Sequence, residues 1–183
     1  MIETKRLLLR PFATEDFAAV HDYAGNAQNV KFMHWGPNTE QDTRDFIAGS
    51  IKSALATPRK DYTLAVTLKE DNRLIGGADI ALTWDLKQAE MGWILHRDCW
   101  KNGYGAELGA GLLRFGFQTL KLHRMYARCD ADNYGSYRVM ERNDMRLEAK
   151  FILSRFNTSK NEWGDEYHYA ILDHEWRRAV IEN

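Results

Sequence analysis

From Tyr62 onward the apolar side chains recur every second residue, and beyond Gly105 they recur at the spacing of a helix. A period of two lines one face of a strand, so Tyr62, Leu64, Val66 and Leu68 point the same way. Lys69-Glu70-Asp71-Asn72 turns the chain into a second strand, residues 74–82, and Asp85-Leu86-Lys87-Gln88 into a third, residues 89–95. These turns predict an antiparallel meander, with Gly76-Gly77 marking a bulge or a close backbone approach. In the helix after Gly105, Leu108, Leu112 and Phe115 share one side. Gly109, Gly111 and Gly116 each cost that helix about 1 kcal/mol relative to alanine, so close packing is expected at them.

The flanks add a strand over residues 6–10, closed by Pro11, and a helix capped by Thr14 with Glu15 and Asp16 that carries Phe17, Val20 and Tyr23. Asn38-Thr39 starts a second helix with Phe46, Ile47 and Ile51. Downstream come a strand at 125–129, a short helix at 135–143 and strands near Phe151 and Tyr169, with Asn157-Thr158-Ser159-Lys160 as a hairpin loop. The order βαα-βββ-α-β-α-ββ, uninterrupted by a linker or repeat, predicts one α+β domain over residues 1–183. A chain of this length buries roughly 70% of its unfolded surface and needs no staples. Cys99 and Cys129 show neither disulfide nor zinc spacing, and the six histidines show no metal-ligand spacing, so no metal is expected. The 25 basic and 26 acidic residues balance, and there is no basic aromatic platform, which disfavours nucleic acid. With no long apolar run, no membrane partner is expected, and the reading is a cytoplasmic protein.

The junction of the third meander strand and the following helix, Trp100-Lys101-Asn102-Gly103-Tyr104-Gly105-Ala106-Glu107, carries the chemistry. Glycine at 103 and 105 lets the backbone turn tightly, and the free N–H groups and dipole of a helix start attract an anion. A diphosphate suits that geometry. The spacing is neither that of a P-loop nor that of a dinucleotide-binding fingerprint.

The same segment resembles the Q/R-x-x-G-x-G/A motif of the GNAT superfamily of N-acetyltransferases, in the form used by its ribosomal-protein N-terminal (serine/alanine) acetyltransferase branch, with Trp100 at the Q/R position. Three more segments resemble that branch in order: residues 3–11, Ala89-Glu90-Met91-Gly92-Trp93-Ile94-Leu95, and residues 132–142. The resemblance implies a mixed, mostly antiparallel, splayed sheet of about seven strands flanked by about four helices. It implies acetyl-coenzyme A as co-substrate, with its pyrophosphate on Lys101, Asn102, Gly103, Tyr104, Gly105 and Ala106. Its pantetheine arm would lie along Trp93, Ile94 and Leu95, with Asn133 contacting it or ordering the next turn. The acceptor implied is an amine, a protein N-terminal α-amine in this branch; small amines stay open, as do a homodimer and a non-catalytic acyl-coenzyme A-binding module.

Acyl transfer needs a neutral amine, a stabilised oxyanion and an accommodated thiolate. Glu90 matches the glutamate of the family's strand and is the candidate base; the alternative is an exposed carboxylate or ion-pair partner. A backbone N–H at Trp93 or Ile94 is the natural oxyanion donor. Ser136, the serine of N-x-x-S after Asn133, is the acid that the resemblance to this branch implies; the position where many relatives carry tyrosine is Met140. Trp35, in the bulky stretch of residues 32–37, is the candidate wall of an acceptor pocket. Asp144 stands where the family often places a glycine of positive φ, which makes the local backbone an open question.

Overall fold

The computed structural model describes residues 1–157 and 161–176. The meander forms as its periodicity demands: β3 (Asp61–Leu68), β4 (Leu74–Leu82) and β5 (Gln88–Leu95) follow β1 (Ile2–Glu3) and β2 (Leu7–Arg10), all antiparallel neighbours. The later strands are β6 (Arg124–Asp130), β7 (Arg146–Asn157) and β8 (Glu162–Leu172). They make one sheet in the order β1-β2-β3-β4-β5-β6-β8-β7, in which only β5 and β6 run parallel. The helices that flank the sheet include α1 (Phe17–Ala24), α2 (Ala27–Val30), α3 (Glu40–Ala54), α4 (Tyr104–Arg114) and α5 (Tyr134–Glu141).

Several expectations are refined. The sheet has eight strands because Ile2 and Glu3 pair with Leu9 and Leu8, a two-residue strand too short to leave a periodic trace. Thr14 does not cap α1; instead the Asp16 carboxylate accepts from the Ala13 N–H at 2.8 Å and holds Arg10 at 2.7 Å. Thr39 does cap α3, accepting from the Asp42 N–H. The pairing register shifts opposite Gly76, as the glycine pair suggested. A Cβ at Gly116 would lie 2.0 Å from the Met125 sulfur, so α4 and its π-turn extension rest directly on the sheet. Thr158, Ser159 and Lys160 of the expected hairpin loop lie outside the described residues. Asp144 takes φ 57°, the left-handed conformation for which a glycine was expected.

Alternation along the strands separates two apolar layers. Leu64, Val66, Ile80, Met91, Met125 and Ala127 face α4 and α5, packing with Leu108, Leu112 and Met140. On the other face Ala65 and Ile94 meet Phe12, Val20, Tyr23 and Ile47 of the α1–α3 side. Glu90, Gly92 and Asp79 fall on that second face, out of phase with the larger core. Among the described residues no helix is long and apolar enough to cross a membrane.

Candidate active site

The site begins where β5 and β6 part. They pair only through Gln88 with Arg124, Ala89 with Met125 and Glu90 with Tyr126. Beyond Glu90, β5 stays with β4, while β6 stays with β8 through the pair Asp130 and Glu166. The end of β5 is anchored by a residue with no sequence signature. Buried Asn29 of α2 donates to the Leu95 carbonyl at 3.2 Å and accepts from the Arg97 N–H at 2.7 Å. The Trp100 indole donates to that same carbonyl at 2.8 Å. The Leu95 carbonyl is therefore occupied twice, which removes it as a free partner for a ligand lying along β5.

Past Leu95 the chain makes the glycine bend. Lys101 and Gly103 adopt φ 63° and 78°, and Gly103 is the N-cap of α4 with no side chain to satisfy the first turn. The N–H groups of Tyr104, Gly105 and Ala106 thus point out of the helix start toward the dipole's positive end. Arg6 braces the bend from outside: it donates to the Asn102 carbonyl at 3.0 Å, stacks on Tyr104 and pairs with Glu107 at 2.6 Å. Burial pushes the Glu107 carboxyl up, but its bonds from Thr4 and Arg6 outweigh that and hold it below the usual range. Gly105 serves packing as well, because a Cβ there would lie 2.8 Å from a Val139 methyl on α5.

A cavity of 660 Å³ runs through the fork. Its walls include Trp35, Glu90 and Ile94 from the α1–α3 face. They also include Trp93, Asn133 and Ser136 from the α4–α5 side. The structure thus brings six of the expected site residues around one space reached from both faces of the sheet. Leu95 and the bend residues, 101–106, lie outside its lining, toward the far end of the fork. Asn133 is the N-cap of α5, its side chain accepting from the Ser136 N–H at 3.2 Å. The Ser136 hydroxyl is hydrogen-bonded to Cys129, whose thiol burial, with Asp130, pushes up to about 12. Met140 is fully buried.

The ion-pair alternative for Glu90 is what the geometry shows: Arg128 donates to both its oxygens, at 2.8 and 2.9 Å. Arg155, also in the lining, donates to Glu166 at 2.9 Å and to the Phe32 carbonyl at 2.9 Å. Glu166 further pairs with His168 at 2.8 Å, and its bonds to His168 and Arg155 lower its pKa against the cost of burial. His34 is lowered from its ordinary value by partial burial first and then by Arg155 and Arg128, so it is neutral at neutral pH. The sequence reading missed Asp79, Arg128 and Arg155, which come from three different strands and share no local pattern. Asp79 sits on β4 opposite Gly92, and burial, then Glu90 and Asp61, pushes its carboxyl up to about 6.

A strand pair that opens after three registers, a glycine bend at the end of one arm and a cavity through the gap form the splayed arrangement that the resemblance implies. Residues 6–146 match the acetyltransferase (GNAT) domain family, and the chain belongs to that family. It is 35% identical over 175 residues to the uncharacterised N-acetyltransferase YnaD of Bacillus subtilis, covering 96% of this chain and 98% of that one. The crystal structure of a GNAT-family acetyltransferase from Bacillus anthracis superposes with a TM-score of 0.84 at 36% identity, covering 95% and 99% of the two chains. The ribosomal L7/L12 alpha-N-protein acetyltransferase RimL, solved with coenzyme A, superposes at 0.79 with 20% identity over 93% and 96%, which shows the shared fold. The protein is an acyltransferase with N-acetyltransferase activity, and the binding-module alternative gives way.

Proposed function

We propose that residues 1–183 form one domain that moves an acetyl group from acetyl-coenzyme A to a primary amine in the β5–β6 fork. The observation that carries this reading is the parting of β5 and β6 after Glu90, with the glycine bend beyond one arm and the cavity in the gap. The residues fit the co-substrate: the turned-out N–H groups of residues 101–106 suit a pyrophosphate, and Gly103 admits the approach of a phosphate oxygen. Trp93 and Ile94 line the space in which a pantetheine arm would run, and Asn133 borders it; Leu95, its carbonyl committed, shapes the strand end. The thioester, when bound, supplies the activated acyl carbon. In this reading an N–H of Trp93 or Ile94 stabilises the oxyanion, and Ser136 returns a proton to the leaving sulfur.

A polypeptide N-terminal α-amine is the favoured acceptor. Its pKa, near ~8, asks less of a base than a lysine-type amine near ~10.4. RimL, the coenzyme A-bound fold relative, acts on such a group. A small amine is the second reading, favoured by the walled shape of the cavity, with Trp35 on one side. Turnover is measured by thiol release from acetyl-coenzyme A, with the product identified by mass spectrometry. The acceptors are alanyl and seryl peptides with free and blocked N-termini, alkyl and arylalkyl amines, and free amino acids. Acetylation of free-ended but not blocked peptides is expected; turnover confined to small amines would shift the assignment to the second reading, and none with any amine would defeat both.

A further inference from the structure

Both guanidiniums in the cavity wall are committed to carboxylates, and the acids that remain are informative. Arg128 is held by both oxygens of Glu90, and Arg155 is held by Glu166. Of the other acids in the lining, exposed Asp42 is bound to Thr39 at the start of α3, and exposed Asp45 accepts from Gln41 at 2.9 Å. Asp79 alone among the described lining carboxylates has no hydrogen-bond or ion-pair partner. Its position is built rather than incidental. Asp79 stands directly across from Gly92, two residues beyond the last parallel pair, and a Cβ on residue 92 would lie 2.6 Å from its Oδ1. The absent side chain at 92 is the room in which the carboxylate sits, over the strand segment where the fork opens.

We propose that Asp79, rather than Glu90, receives the acceptor's ammonium group and removes its proton, and that the site selects cationic amines with an apolar or amide body over free amino acids. This rests on the N-acetyltransferase reading above. The selectivity follows from the same charge count: both guanidiniums are committed, so a free amino acid's carboxylate would enter with no cation to meet it and with Asp79 and Glu90 to repel it. The aromatic walls, Phe12, Phe32, Trp35 and Phe46, suit an apolar body or a cation over a ring face. A carboxyl pushed up to about 6 is a better proton acceptor than an ordinary one and is still ionised at neutral pH.

The step balances as follows. The ammonium gives one proton to the Asp79 carboxylate, and the freed lone pair forms the C–N bond at the thioester carbon. Collapse of the addition product breaks the C–S bond. The nitrogen's second proton ends on the departing sulfur, through Ser136, and Asp79 releases its proton to water.

The titratable and charged groups around Asp79 are Asp61 on β3, Glu90 on β5 and Arg128 on β6, with Tyr23 of α1 and His34 across the cavity, Asp42 and Asp45 at its exposed rim and Arg155 paired away on β7. Of these, Glu90 and Asp61 raise Asp79. Since the base must be ionised, kcat/KM falls as pH drops through about 6.

The test compares wild type, Asp79→Asn and Asp79→Glu with three acceptors: 2-phenylethylamine, an alanyl peptide amide, and an O-alkylhydroxylamine, which is already neutral at pH 7. Coenzyme A affinity by calorimetry and circular dichroism check that the variants fold. Expected for D79N is a loss of about 10²-fold or more with the two ordinary amines, disappearance of the acid limb and much smaller loss with the hydroxylamine. D79E should recover part of the rate. If wild type turns over and D79N keeps its rate and acid limb, or loses all three acceptors equally, the assignment to Asp79 is overturned while the enzyme reading stands. If a folded, coenzyme A-binding wild type acetylates no amine, the amine-acceptor reading falls and takes this proposal with it.

Discussion

The two ends of the fork are made of different material. At the end proposed for the cofactor the available groups are backbone: N–H groups exposed by a left-handed Gly103, braced from behind by Arg6, Glu107 and Trp100. At the end proposed for the acceptor they are side chains, Asp79, Glu90, Arg128 and Arg155, delivered by β4, β5, β6 and β7. A backbone site depends on conformation and tolerates changes of side-chain charge. A side-chain site depends on charge and tolerates changes of the turn.

The sharpest way to break that contrast is at Gly103. A β-branched side chain at φ 78° carries backbone strain of about 1–3 kcal/mol, which the bend relieves by moving its N–H groups. Gly103→Val is therefore expected to weaken coenzyme A binding on the order of 10- to 100-fold by calorimetry, with kcat at saturating co-substrate little altered. Unchanged affinity in a folded variant would show that the bend does not hold the pyrophosphate. Gly105 is the poorer choice for this experiment, since added atoms there meet Val139 and disturb the packing of α5 on α4.

Next in size is Glu90→Gln. With both oxygens already accepting from Arg128, Glu90 contributes field and order more than proton transfer. The expected loss in kcat is less than about 10-fold, with the acid limb near 6 retained because Asp79 still titrates. A loss as large as that of D79N, with the limb abolished, would restore Glu90 as the base and reverse the roles given to the two carboxylates.

What could be read from the chain follows the same division. The bend and the meander were legible because each is local: a period of two, a polar turn, two glycines at a helix start; the fork was implied only by the family resemblance. Asn133 and Ser136 were legible as neighbours on one helical turn. Asp79 was not, because its meaning depends on Gly92 thirteen positions away and on the pairing register that sets them face to face. Arg128 and Arg155 were not legible either, because what relates them is Glu166 of β8, which pairs with both. Asn29 lay in a stretch without periodicity, yet it holds the end of β5 from a four-residue helix. Trp163 packs edge-on against Phe156 at 5.4 Å in the β7–β8 hairpin and does not line the cavity.

The smallest effect separates function from stability at a single atom group. Asp79 has a folded-state pKa of about 6 against an ordinary value of 3.8, so the folded protein binds that proton more tightly than the unfolded chain. Its contribution to stability is fully present below about 4 and is lost as pH rises through 6, above which an unpartnered carboxylate stays ionised in a partly buried site. Replacing it by the neutral isostere removes that penalty. Asp79→Asn is thus expected to melt higher than wild type above pH 6, by about 1 kcal/mol after allowance for water reaching the carboxylate, or a few degrees in a chain of this size. The difference should shrink toward pH 4. A variant that loses turnover while gaining stability marks a group kept for chemistry at the expense of the fold. Equal melting temperatures across that pH range would show that the carboxylate is adequately solvated where it stands, and would remove the reason for its raised pKa.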